Sequence, residues 1–118
     1  IEQSNINLGD YPFFFIIYYW IKKGIHVTGK PEWVFIKIHT HGARPEDREL
    51  LLGKTCDEMF TYLETAYDDD KKYVLHYVSA REMYNIIKAA EAGKQGNPND
   101  YRDYIIPRYV YLPEHSLI

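Results

Sequence analysis

The hydrophobic and polar positions change rhythm several times along the chain, and each rhythm predicts an element. Residues 1–10 are polar and irregular, with Asp10 placed to cap a helix from Tyr11 to about Lys23. Pro12 suits the first turn of such a helix and Gly24 its C′ position. The run Tyr11–Ile21 is apolar on every side, so its periodicity fits a helix or a buried strand equally. Ile25–Thr28 is short and β-prone, and Gly29-Lys30-Pro31 reads as a turn. From Trp33 to His41 the pattern alternates. Trp33, Phe35, Lys37, His39 and His41 share one face, and Val34, Ile36, Ile38 and Thr40 the other, which predicts a strand. Gly42 permits a tight exit, and Ala43–Leu52 reads as a loop with one helical turn near Pro45–Leu50.

Thr55-Cys56-Asp57-Glu58 has the form of a capping box. The helix it opens aligns Met59, Phe60, Leu63, Ala66 and Tyr67 on one stripe. Asp68–Lys72 reads as a solvated turn and Tyr73–Val78 as a second strand. Ser79-Ala80-Arg81-Glu82 is a second capping box, and its helix turns Met83, Ile86, Ile87 and Ala90 inward before Gly93 closes it. Strand, helix, strand, helix is a βαβα unit, so the expected fold class is α/β with parallel neighbouring strands. The expected organisation is an N-terminal apolar helix and turn over 1–30, a βαβα core over 31–93 and an irregular tail over 94–118. Within that tail, Tyr104–Leu112 alternates weakly around Pro107, which confines any strand there to an edge.

Composition narrows the function classes. With 118 residues, the chain is one domain or a piece of one. Its first residue is Ile1 rather than Met, which reads as processing or as part of a longer polypeptide. The 46% apolar and 26% charged fractions are those of a folded protein. A net charge of −3 and a pI near 5.9 argue against nucleic acid or an anionic membrane as the main partner. The densest apolar run has eleven residues, well short of the roughly 20 that span a bilayer as a helix. Cys56 is the single cysteine, so no internal disulfide forms and the fold needs no oxidising compartment, which favours a cytoplasmic setting. Twelve tyrosines predict a core or interface with many hydroxyls to satisfy.

One constellation points to chemistry. In a strand, His39 and His41 of His39-Thr40-His41-Gly42 project from the same face at the C-terminal end, where α/β folds build active sites. Two such imidazoles can chelate zinc or another divalent metal, and either one can act as general acid or base near neutral pH. A third ligand is sought in His76 on the next strand or in Glu46 and Asp47 of the following loop. Arg81 stands on the same rim as an anion or hydroxyl contact, and Glu82 has its capping box to fill. His26 and His115 have no supporting context, and Cys56 reads as structural.

Trp33–His39, the helix Thr55–Tyr67 and the segment Tyr73–Ser79 together resemble the last stretch of the polysaccharide deacetylase family. The resemblance covers about residues 32 to 92. It implies the C-terminal section of a distorted (β/α) barrel and metal-dependent removal of acetyl groups from a carbohydrate. On that reading His39 protonates the leaving group, His41 is a helper or metal ligand, and Arg81 lines the substrate rim. The family's base aspartate and its metal-binding Asp and His lie in earlier motifs that this chain does not contain. A barrel also needs on the order of 200 residues, so the chain alone is expected to be inert. His-Thr-His-Gly also resembles the first motif of barrel phosphoesterases and amidohydrolases, although only 77 residues follow His41 here. The rival class is a non-catalytic module whose aromatic surface, Phe13 to Trp20 with the Tyr-rich tail, pairs with itself or with another chain.

Overall fold

Four α-helices and two 3₁₀ turns carry the architecture of this chain in a computed structural model that describes residues 13–40 and 44–111. They divide into two units, Ile1–Tyr77 and Val78–Ile118. The first contains α1 (Phe13–Lys23), a 3₁₀ turn at Pro45–Asp47, α2 (Arg48–Leu52) and α3 (Lys54–Tyr67). The second contains α4 (Ala80–Glu91) and a 3₁₀ turn at Pro98–Tyr101. No helix among the described residues is long and apolar enough to cross a membrane.

The core of the first unit is one helix packed on another. Ile17 and Trp20 of α1 meet Cys56, Met59 and Leu63 of α3, each set spaced three or four residues apart so that it forms one stripe. Ile17 and Met59 are the two large side chains most completely buried. Gly24 ends α1 at φ +57, a conformation glycine adopts without a Cβ penalty, and its N–H donates to Trp20 O at 3.1 Å. The following turn buries Lys30, whose ammonium lies 4.5 Å from the Trp33 ring centre and 3.2 Å from the Glu32 carboxylate. An aromatic face and a carboxylate together compensate that buried charge.

The expected α/β class is overturned. Helix accounts for 51% of the described residues and strand for 1%, a lone bridge at His39, so among them there is neither a sheet nor a section of a (β/α) barrel. The alternation holds only from Ile36 to His39: Ile36 and Ile38 pack against the helical core and Lys37 and His39 are exposed, whereas buried Trp33 and exposed Val34 run against the predicted faces. Period-two alternation records an extended chain with one covered face, and helices cover a face as well as a sheet does. The second predicted strand fails for a different reason. Tyr73 N–H donates to Asp69 Oδ1 at 3.0 Å, and Leu75 N–H donates to Asp68 Oδ1 at 3.0 Å. Two carboxylates thus occupy donors on the edge that a neighbouring strand would use. Asp69 also accepts from Lys71 and Lys72, and these backbone donors hold its carboxyl below the usual range.

The two capping boxes have opposite outcomes. Thr55 does not cap α3, because that helix already starts at Lys54 with Gly53 as N-cap and no side-chain cap. At α4 the box is complete: Ser79 Oγ accepts from Glu82 N–H at 3.2 Å, and Glu82 Oε1 accepts from Ser79 N–H at 2.8 Å. Gly93 closes α4 at φ +76, with Gly93 N–H on Ala90 O and Lys94 N–H on Ala89 O in a Schellman arrangement. The buried residues of α4 are Asn85, Ile86, Ala89 and Ala90, with Asn85 Nδ2 donating to Arg102 O at 2.8 Å.

The cap gives α4 a pH dependence. Hydrogen bonds from Ser79, then the Arg102 charge, hold the Glu82 carboxyl below its ordinary value of 4.5. A depressed folded pKa means the carboxylate stabilises α4 above about pH 4.5 and that this contribution fades as pH falls through the lower folded value. In Glu82→Gln, which keeps a hydrogen-bonding side chain without the titration, the acid loss of helix followed by circular dichroism should be shallower than in the unaltered protein. An identical acid limb in the two proteins would remove this role from Glu82.

Candidate functional site

The residues proposed for chemistry do not converge among the described residues. His39 is exposed on the extended segment that follows Trp33, and His41, its proposed companion, lies outside the described residues, as do Gly42 and His115. His76 is partly buried in its own extended segment. His26 is tied locally, with Nδ1–H donating to Gly24 O at 2.6 Å. Asp47 is buried, and Arg44 grips it through Nε at 2.7 Å and Nη2 at 3.1 Å, while Glu46 lies 3.6 Å from the same guanidinium. The Asp47 carboxylate therefore serves the turn that opens α2. No group of three or more His, Cys, Asp or Glu among the described residues is arranged to hold a metal. Arg81 is exposed on α4 and lies over the Tyr84 ring at 5.8 Å, one turn away on the same helix. Cys56 is buried in the core, where loss of hydration pushes its thiol pKa up, so it is a packing residue and a poor nucleophile.

What the fold does assemble is aromatic. Because α1 is apolar all round and only one stripe faces α3, Phe14, Phe15, Tyr18 and Tyr19 remain exposed at 42%, 59%, 55% and 43%. From this face a chain of rings crosses the first unit. Phe15 and Phe14 are 4.6 Å apart, Phe14 and Tyr62 6.4 Å, Tyr62 and Tyr67 6.4 Å, and Tyr67 and Tyr73 5.0 Å. All these separations suit favourable ring pairs, and the tyrosine pairs meet edge to face. Lysines flank the run, with Lys22 over Tyr18 at 5.8 Å and Lys72 over Tyr73 at 5.3 Å. Burial, then the neighbouring phenols of Tyr62, Tyr73 and Tyr18, raises the Tyr67 pKa. Beside this run, Tyr77 meets Phe60 edge-on at 5.9 Å and donates to Glu64 Oε1 at 3.0 Å. Burial first, then the Glu64 hydrogen bond, pushes the Tyr77 pKa up to about 12.

The comparisons with known proteins fall silent here. No protein-family model, no characterised protein and no solved structure matches the chain. They neither support nor oppose the resemblance to polysaccharide deacetylases, but the strand–helix–strand order on which that resemblance was drawn is not present in the fold. The aromatic face on α1 was legible only in part. The sequence reports its apolarity, but which side α3 covers depends on the packing.

Proposed function

We propose that this chain is a non-catalytic self-association module, and that a second copy covers the exposed aromatic face of α1. The observation that carries the reading is the placement of Phe14, Phe15, Tyr18 and Tyr19 outside the core while Ile17 and Trp20 of the same helix fill it. Their exposed parts equal about two whole aromatic side chains, or ~400 Å² per copy. That is the size of the largest apolar patch on a typical monomer, and such patches are often functional.

The spacing of these residues suits a copy of itself. Positions 14, 15, 18 and 19 are symmetric about the midpoint between Ile16 and Ile17. An antiparallel two-fold pairing of α1 with α1 sets Phe14 opposite Tyr19 and Phe15 opposite Tyr18, and opposes the two helix dipoles. The same arrangement carries the basic ends, Lys22 and Lys23, to opposite sides, so like charges do not meet. A total of ~800 Å² lies below the standard interface size, which predicts a weak, concentration-dependent dimer.

Sedimentation velocity across a concentration series tests this. The expected result is a reversible monomer–dimer equilibrium that weakens by about tenfold or more in Phe15→Glu/Tyr18→Glu with unchanged helix content. A monomer at every concentration, or a dimer indifferent to the double substitution, would overturn the reading.

A further inference from the structure

One carboxylate of the first unit meets a phenol instead of a cation. Phe60 and Glu64 stand one turn apart on the same stripe of α3, and Tyr77 touches both. The Tyr77 ring meets Phe60 edge-on at 5.9 Å, and its hydroxyl donates to Glu64 Oε1 at 3.0 Å. Glu32, Asp47, Glu58, Glu82 and Glu91 each lie within ion-pair distance of a lysine or arginine, whereas Glu64 pairs with no cation among the described residues. Its oxygen is thus a base already seated on a hydroxyl proton. The other described tyrosines offer a contrast. Tyr101 donates to Gln95 O, an amide carbonyl that takes up no proton near neutral pH. Tyr67 and Tyr73 have ring neighbours, but their hydroxyls make no hydrogen bond among the described residues.

A phenol that loses one electron becomes a strong acid, so the electron leaves readily only where a base receives the proton in the same step. We propose that Tyr77 is the residue on which one-electron oxidation of this protein settles, with Glu64 as the proton acceptor. An outer-sphere one-electron oxidant takes an electron from the Tyr77 ring and is itself reduced. The O–H bond breaks, and its proton passes to Glu64 Oε1. The products are a neutral tyrosyl radical and a protonated Glu64, and a one-electron reductant in solution reverses both transfers. The phenol, pushed up to about 12, keeps its proton until that moment, so the hydrogen bond is intact when the electron leaves. Phe60 holds the ring in place and, being much harder to oxidise, offers no onward site. At 49% exposure Tyr77 is open to oxidant and reductant alike. The pair is therefore a regenerable radical trap, and it uses no residue of the α1 face.

Oxidation of the full chain by ruthenium(III) tris(bipyridine) with a nitroso spin trap present tests this, the adducts being located by mass spectrometry. Adducts should concentrate on Tyr77. If access alone decided, Tyr109 and Tyr111, at 80% and 76% exposure, would come first. Glu64→Gln keeps an acceptor for the hydroxyl but removes the base. It should lower the Tyr77 adduct at least about tenfold relative to that on Tyr101, with helix content unchanged. Adducts ranked by exposure, or a Tyr77 yield indifferent to Glu64→Gln, would overturn the proposal.

Discussion

Trp20→Ala is expected to destabilise the first unit by about 3–5 kcal/mol, the range for deleting a buried Trp side chain. Trp20 is 3% exposed and sits with Ile17 against Cys56, Met59 and Leu63, so truncation removes its ring from the centre of the contact between α1 and α3. Small domains hold roughly 5–15 kcal/mol of total stability, and a unit with one two-helix core belongs at the low end. The substitution should therefore bring the first unit close to unfolding at physiological temperature. Urea titration followed by circular dichroism checks the size of the effect, with Phe15→Ala as the contrast. Phe15 is on the same helix but exposed, and its loss should move the midpoint little. Equal shifts in the two variants would show that α1 does not dock through its Trp20 face.

The second large effect belongs to a glycine whose backbone angles require none. Gly53 joins α2 to α3 at φ −101, ψ −171, open to any residue. A Cβ built there would lie 2.1 Å from Glu49 O and 3.2 Å from Glu49 C, both backbone atoms of α2. Neither atom can rotate away, so Gly53→Ala must open the junction and shift α2, Leu51 included, away from the α3 core. The expected cost is at least about 2–3 kcal/mol, the upper range for overpacking. Gly29→Ala provides the comparison: its φ is +88 and nothing lies within 4 Å, so its cost of roughly 1 kcal/mol is conformational. Urea midpoints of the two variants should therefore separate clearly, with Gly53→Ala the lower. A Gly53→Ala protein as stable as its parent would mean that the α2–α3 turn is looser than this geometry.

Local chemistry was the legible part of the fold. Ser79 and Glu82 cap α4 because both halves of a capping box lie within four residues of chain, and Gly24 and Gly93 end their helices because a left-handed residue is needed there. The stripe Met59–Leu63 faces the core as its spacing predicts. The failures came from competing contacts that the pattern does not display. Thr55 matched the capping pattern, but the close turn at Gly53 had already started the helix. Of the candidate pair, His39 stands exposed in a segment without a sheet and His41 lies outside the described residues.

The sequence by itself determined the capping of α4, the left-handed ends of α1 and α4, and which helix stripes are apolar. These are properties of a residue and its neighbours within one or two turns. Tertiary structure alone decided what covers each face. Helices cover Ile36 and Ile38, and α3 takes one stripe of α1 while leaving its tyrosines and phenylalanines in solvent. An apolar side chain loses water equally well against a helix or a sheet, so burial pattern fixes the chain's conformation without fixing its partner.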